Sequence, residues 1–331
     1  MKAFVTGSTG LLGNNLVRAL EAQGATVVGL ARSADKARRL LGDTSARVVA
    51  GDMERIDAFA SELDGCDVVF HTAAYFREYY GPGDHAAALR RINVEATLAL
   101  MAEADRRGVR RFVHVGSSGS IGMHPDGRPG DEQTPPGPAQ LENLYFRSKH
   151  EGDRAIQAFS PAHGMAVIEI LPGWMFGPGD AGPTGAGQLT LDVIGRKIPV
   201  TMAGGMCVVD ARDVAAAMVT AAGRGRHGDR FIVGGEFRTM ADVIGTLAAA
   251  GGVPGPSFTM PVPVALAAAH VSELVAKVTG KPALLPLDGV RTAVKGQKVS
   301  SARAVQELGA SFRPFAETAR DVVAWYRQHP A

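Results

Sequence analysis

Tyr145 and Lys149 stand four residues apart in LENLYFRSKHEGDRAI, a stretch with the period of a helix. At that spacing two side chains lie one above the other on the same helical face, so a phenol and an ammonium can share a pocket. A phenol so placed can give a proton to an oxygen that gains charge, and a nearby cation brings its pKa toward neutrality. The spacing alone leaves a second reading open, an ordinary aromatic beside a surface lysine. With 5 tyrosines and 8 lysines in the chain of 331 residues, the pattern arises by chance about one time in eight.

A second set of residues has the spacing to hold phosphate. VTGSTGLLGNNL puts Gly7, Gly10 and Gly13 directly after an apolar run and at the opening of a helix, with Thr9, Leu11 and Leu12 between them. Such glycines permit a tight turn, close backbone approach to a pyrophosphate and close helix–strand packing, while the helix N-terminus offers N–H donors to the anion. The spacing is one residue longer than G-x-G-x-x-G, and a glycine triplet alone also fits a purely structural turn. Its place in the first strand–turn–helix favours a dinucleotide. The second strand then separates NAD from NADP, since an acid at its end accepts from the ribose 2′-OH and an arginine accommodates a 2′-phosphate. Here the strand ends on Arg32, with Lys36 and Arg38 following. NADP(H) is therefore favoured, with NAD(H) the alternative. Asp52, followed by Met53, closes the third strand and is placed to accept from an adenine amino group. Thr72, Ala73 and Ala74 end the fourth with small residues that let backbone approach a cofactor.

These residues need a scaffold that brings strand ends together. KAFVTG, ATVVGLA, ARVVAGD, CDVVFHTAA, RRFVHVGS and MAVIEILPG are short apolar, β-branched runs separated by segments of helical period. Continuously apolar strands alternating with helices imply a parallel sheet covered on both faces, and right-handed crossovers make it a doubly wound Rossmann fold of the α/β class. After LPGWMFGPGD, glycine and proline crowd the chain, and DRFIVGG returns to the main sheet. The expected division is a dinucleotide-binding domain over 1–173 plus about 207–235, and a smaller, discontinuous substrate lobe over 174–206 plus 236–331.

The bulk properties exclude several functions. Lys+Arg 35 against Asp+Glu 33 gives a formal +2 with no polybasic block, so neither nucleic acid nor an acidic membrane surface is expected as partner. Two widely separated cysteines suit a reducing compartment. The chain enters a strand from its first residues, and VPVALAAAHVSELVAKV carries His270, Glu273 and Lys277, which argues against a membrane span. Together these predict a cytoplasmic protein whose partner is a small-molecule substrate, with a homodimer left open. No histidine pair has the H-E-x-x-H spacing, so no metal is expected.

Taken in order, TGSTGLLG, HTAA, INVEAT, VGSS, YFRSK, LPGWMFGPGD and VVDARDVAAAM resemble the extended short-chain dehydrogenases/reductases, the NAD-dependent epimerase/dehydratase superfamily, over nearly the whole chain. The likeness is greatest to the dihydroflavonol 4-reductase-like and 3β-hydroxysteroid dehydrogenase-like branch. It implies that Tyr145 is the catalytic tyrosine, Lys149 its partner and Ser117 the carbonyl-binding hydroxyl, with Ser118 a stand-in. It also implies that Asn93 supports the site and that Pro172 and Gly173 lie beside the nicotinamide. SSGSIG departs from the sugar-nucleotide pattern after the fifth strand, and no acid follows Ser117 until Asp126, which argues against dehydratase chemistry.

The expected reaction is interconversion of a carbonyl and a secondary alcohol on a fairly hydrophobic small molecule, with Tyr145, Lys149 and Ser117 assisting hydride transfer. Tyr75, Phe76, Tyr79 and Tyr80 follow the fourth strand, and Trp174, Met175 and Phe176 the sixth, at the edge where ligands of open parallel sheets bind. They are expected either to line the substrate site or to pack the lobes together. A nucleotide-sugar epimerase with retained NAD is the alternative, kept open by Arg212 and Arg230, either of which can meet a pyrophosphate. A non-catalytic NADP-binding redox sensor is a further one, though it needs no Tyr-Lys pair.

Overall fold

The computed structural model describes residues 1–76, 84–279, 283 and 285–329. Tyr79 and Tyr80 lie outside these. The strands, in chain order, are β1 (Lys2–Thr6), β2 (Thr26–Ala31), β3 (Arg47–Ala50), β4 (Val68–His71), β5 (Arg111–Val115), β6 (Ala166–Pro172), β7 (Trp174–Phe176), β8 (Val200–Met202), β9 (Gly205–Asp210), β10 (Arg230–Val233), β11 (Glu236–Thr239) and β12 (Phe258–Met260). Seven of them form one sheet in the order β3-β2-β1-β4-β5-β6-β10, every pair parallel. The order reverses between β1 and β4, the switch point at whose carboxyl edge ligands bind in such sheets.

The strands are apolar throughout because both faces are covered. In β1, Ala3 and Val5 join one core and Phe4 the other. Val68 and Phe70 of β4, and Val113 and Val115 of β5, face the first core, while Val69 and Phe112 face the second. Successive side chains of a strand point to opposite faces, so a strand between two helical layers keeps no polar face. The Leu11–Glu21 and Ala211–Arg224 helices cover the first face through Leu16, Leu20, Val214 and Met218. Leu100, Met101 and Ala104 of the Ala96–Arg106 helix cover the second. Phe4, Phe70 and Phe112 are fully buried, each contributing about 2–3 kcal/mol of transfer free energy.

The second lobe has its own core of Phe176, Val243, Ile244, Leu247, Phe315, Val322 and Val323 beneath the sheet β11-β9-β7. Two features refine the expected division. β9 (Gly205–Asp210) pairs with β7 and β11, so it belongs to this lobe's sheet, whereas the helix after it and β10 join the main body. Near the C-terminus, Ala304 and Leu308 pack into the first main-sheet core. The Val262–Thr279 helix proves long and apolar enough, by length and composition, to cross a membrane despite His270, Glu273 and Lys277. It packs through Ala265 and Ala269 against Leu287 and Val290, and Glu273 accepts the Leu287 amide at 3.1 Å.

Candidate active site

The glycine loop follows β1 at the carboxyl edge. Gly7 is left-handed at φ 66°, and a Cβ there would meet the Ala73 amide and the Thr72 hydroxyl at 2.8 Å. A Cβ on Gly13 would overlap the Gly7 carbonyl. Both positions therefore require bare backbone. Gly10 is exposed and caps the Leu11–Glu21 helix without any side-chain cap, which leaves that terminus's N–H groups to an outside acceptor. Leu11 and Leu12 are buried, so they present only backbone to the loop, and Thr9 is half-buried at its tip. This cradle fits a pyrophosphate.

The neighbouring strand ends differ in how they serve the edge. Arg32 is exposed after β2, ahead of a helix capped by Ser33, whose hydroxyl accepts the Lys36 amide at 3.2 Å. Asp52 accepts the Glu54 amide at 2.9 Å, while Met53 turns its side chain into the core and so has only backbone to offer. The Thr72 hydroxyl donates to the Thr6 carbonyl at 2.8 Å, and the Ala73 amide to the Thr6 hydroxyl at 3.3 Å. These bonds fasten the β4 exit to β1, beside the loop, with Ala74 exposed beyond them.

Asn93 sits in a π-helical turn, Arg91–Glu95, and is buried. Its carboxamide accepts the Tyr75 amide at 2.7 Å, donates to the Tyr75 carbonyl at 3.1 Å and reaches the Ser148 hydroxyl at 3.5 Å. The extra residue of a π-turn re-aims side chains within a helix. Phe76, next along, lies 4.7 Å from the Tyr145 ring, and the Tyr75 hydroxyl shares a 2.7 Å hydrogen bond with His85.

Tyr145 and Lys149 both lie on the Leu144–Gln157 helix, whose N-terminus is capped by Asn143 accepting from the Phe146 amide at 3.0 Å. The Lys149 ammonium is 5.9 Å from the Tyr145 ring centre and donates to the Val115 carbonyl, the last of β5, at 3.0 Å. Lys149 is buried at 4% exposure, and burial pushes its ammonium down to about 8 against the opposing charges of Asp153 and Glu169. Beneath it His71 and His114 stack at 5.4 Å. Burial first, then the Lys149 charge, holds His71 down at about 3, and His114 is lowered by the same causes together with His71 itself. Ser117 follows β5. Its hydroxyl oxygen accepts the Gly119 amide at 3.1 Å, which orients the hydroxyl and leaves its own proton to give.

Gly173 lies where three chains meet, and a Cβ would collide with the Gly234 carbonyl and approach the Cys207 carbonyl at 2.8 Å. With Pro172 ending β6, it fixes the sheet edge beside the second lobe. Phe176 is 1% exposed and packs at 5.1 Å on Phe315, with Trp174 4.8 Å away. Of the three aromatic or apolar residues after β6, Phe176 is thus lobe core, and Trp174 and Met175 keep partial exposure. Arg212 and Arg230 are committed elsewhere. Arg212 bonds Asp210 and Asp321, both at 2.7 Å, and Arg230 bonds Asp153 and Glu169, both at 3.0 Å. Both guanidiniums are engaged by carboxylates.

Several residues of this region carry no sequence motif. Asp153, Glu169, Arg230 and Ser120 form a buried polar cluster behind Lys149, and Glu169 was visible only as a charge inside the otherwise apolar run AVIEILP. Gln297 comes from the distant C-terminal part, and its amide donates to the carbonyls of Ser118 at 2.6 Å and Ile121 at 2.5 Å. Around it, the Lys298 carbonyl accepts from the Gly130 amide at 3.0 Å, the Ser301 hydroxyl accepts from the Gly234 amide at 2.9 Å, and Arg303 donates to the Arg230 carbonyl at 2.9 Å. Residues 297–303 thus lace the Ser117 turn to β10.

This geometry has counterparts. The family model of the NAD-dependent epimerase/dehydratase family matches residues 3–234. A Synechocystis sp. protein provisionally named as a dihydroflavonol 4-reductase is 32% identical, covering 98% of this chain and 94% of its own. Sterol demethylase protein B of Methylococcus capsulatus is 30% identical over 99% of both chains. Among solved structures, gox2253 superposes with a TM-score of 0.84 at 30% identity, covering 99% of this chain and 98% of that one. The chain therefore belongs to the NAD-dependent epimerase/dehydratase family, within the extended short-chain dehydrogenases/reductases, and is an NAD(P)-dependent enzyme of that type.

Proposed function

We propose that the protein is an NADP(H)-dependent reductase or dehydrogenase that interconverts a carbonyl and a secondary alcohol on a fairly hydrophobic small molecule. The observation that carries this reading is the buried Lys149 ammonium 5.9 Å from the ring of Tyr145. A cation beside the ring favours phenolate over neutral phenol and so lowers the phenol's pKa. That brings a phenol of ordinary pKa near 10 within reach of neutral pH, where it can give a proton to a carbonyl oxygen as charge develops. Ser117 donates to the same oxygen and orients it. The dinucleotide, when bound, supplies or accepts the hydride. Gly7, Gly10 and Gly13 would hold its pyrophosphate, Arg32 a 2′-phosphate, and the backbone at Thr72–Ala74 the adjoining span.

Phe76 against Tyr145, with Trp174 and Met175 at the same edge, supports an apolar substrate. The names of the two relatives, which print dihydroflavonol and sterol, are of that chemical kind. The engagement of Arg212 and Arg230 by carboxylates weighs against a nucleotide sugar. Both cysteines are free and buried, which suits work in the reducing cytoplasm. The assay is NADPH oxidation with a panel of aryl, terpenoid and steroid ketones, run beside 4-epimerisation of nucleotide sugars. Ketone reduction that falls about 100-fold or more in Tyr145→Phe, with NADPH affinity within a few fold, is the expected outcome. Epimerised sugar without net cofactor consumption, and no ketone reduced, overturns the reading.

A further inference from the structure

We propose that Asp153 is a positioning residue for the Tyr145–Lys149 pair, tying the turn that carries Ser117 to the helix that carries the pair and facing the Lys149 ammonium with a compensating charge. The inference rests on the reading of that pair as the reacting one. Tyr145, Lys149 and Asp153 are four residues apart on one helix, so they lie in a row along a single face. Asp153 is 1% exposed. One carboxylate oxygen accepts the Ser120 hydroxyl at 2.6 Å and the Arg230 guanidinium at 3.0 Å. Ser120 is itself buried and belongs to the turn opened by Ser117, whose carbonyl lies within hydrogen-bond range of the same hydroxyl at 2.8 Å. The other carboxylate oxygen lies against Gly116, where a Cβ would come within 3.1 Å of it. Asp153 therefore packs on the very strand end whose preceding residue, Val115, accepts from Lys149.

The charges around Lys149 come from five elements. Asp153 shares its helix, His71 and His114 lie beneath it on β4 and β5, Glu169 is on β6 and Arg230 on β10. The two histidines are kept neutral by burial. Glu169 is pushed up to about 8 by burial and by Asp153. Burial also raises Asp153, but Arg230, the Ser120 hydroxyl and Lys149 all oppose the rise. Asp153 lies along the same helix face as Lys149 and its charge favours the ammonium, while Arg230 and the Ser120 hydroxyl fix the carboxylate in place. A buried ammonium without such a partner gives up its proton, and Tyr145 then loses the cation beside it.

The test is Asp153→Asn, which keeps the shape and removes the charge. Lys149 is followed by NMR of protein carrying side-chain ¹³C-labelled lysine, with Lys149→Arg to assign the resonance and no substrate present. Expected are a Lys149 titration at least about one pH unit below wild type, an alkaline limb of kcat moved to lower pH, and NADPH affinity within a few fold. A Lys149 titration unchanged from wild type overturns the proposal. If Asp153→Asn does not fold, Ser120→Ala tests the link alone: a several-fold fall in kcat with Lys149 titrating as in wild type supports it, and an unchanged kcat overturns it. Because the Lys149 titration is read without turnover, its outcome is separate from whether ketones prove to be substrates.

Discussion

Asn93 clamps Tyr75 by its backbone, accepting from the amide at 2.7 Å and donating to the carbonyl at 3.1 Å. The pair joins a π-turn to the exit of β4 and so sets where Phe76 meets Tyr145. Asn93→Ala removes both bonds and leaves a part-buried amide and carbonyl without their partner. It should cost about 1–3 kcal/mol of stability, read by urea denaturation, and lower turnover by more than its effect on NADPH affinity. An Asn93→Ala protein as stable and as active as wild type would show the clamp to be incidental.

Arg32 is exposed just past the end of the second strand, so on the proposed reading its charge should decide between the two dinucleotides. Arg32→Asp puts an acid opposite the 2′-phosphate and an acceptor opposite a 2′-OH. The ratio of kcat/KM for NADPH over NADH should fall by about 100-fold or more, the effect of losing one charge-assisted contact of about 1.5–3 kcal/mol and adding a repulsion. Steady-state kinetics with each cofactor at matched concentrations measure it, and a wild type that already prefers NADH would refute the assignment.

The stacked pair His71 and His114 makes acid sensitivity a property of the fold. Both are held below their ordinary value near 6.5, so from there downward the unfolded chain takes up protons that the folded one refuses. The stability they contribute is complete above pH 6.5 and is lost as pH falls toward the folded value, about 3 for His71. His114 Nδ1 has no hydrogen-bond partner among the described residues, so His114→Leu removes a titrating group without removing a bond from that atom. The slope of unfolding free energy between pH 6 and 4 should flatten by up to about 1.4 kcal/mol per pH unit. Denaturant titrations at several pH values decide it, and an unchanged slope would mean that the acid response lies elsewhere.

The main sheet was legible because its strands are apolar on both faces, a pattern that a parallel sheet between helices alone requires. The glycine loop and the Tyr145–Lys149 pair were legible because both are local in sequence. What lies behind Lys149 was not, since Asp153, Glu169 and Arg230 meet only once three elements are packed together. Glu169 within AVIEILP was the one visible sign, a charge in a strand that must be buried, which demands a partner from elsewhere. Arg230 was read for its charge when its meaning lay in its neighbours. Phe176 likewise showed its chemistry in the sequence but not its side, because alternation along β7 sends Phe176 into the lobe core and Met175 toward the main-sheet core.

The lacing of the Ser117 turn by residues 297–303 also orders events in time. A ribosome delivers β1 to β6, the glycine loop and the Tyr145 helix well before it delivers Gln297, at about 5–20 residues per second. Five of the six pairings in the main sheet can therefore form while the donor to the Ser118 and Ile121 carbonyls is still unmade. β10 follows, and its carbonyl partner Arg303 arrives about seventy residues later still. The turn that carries Ser117 is finished last, so a nascent chain can fold its glycine loop before the segment around Ser117 is complete.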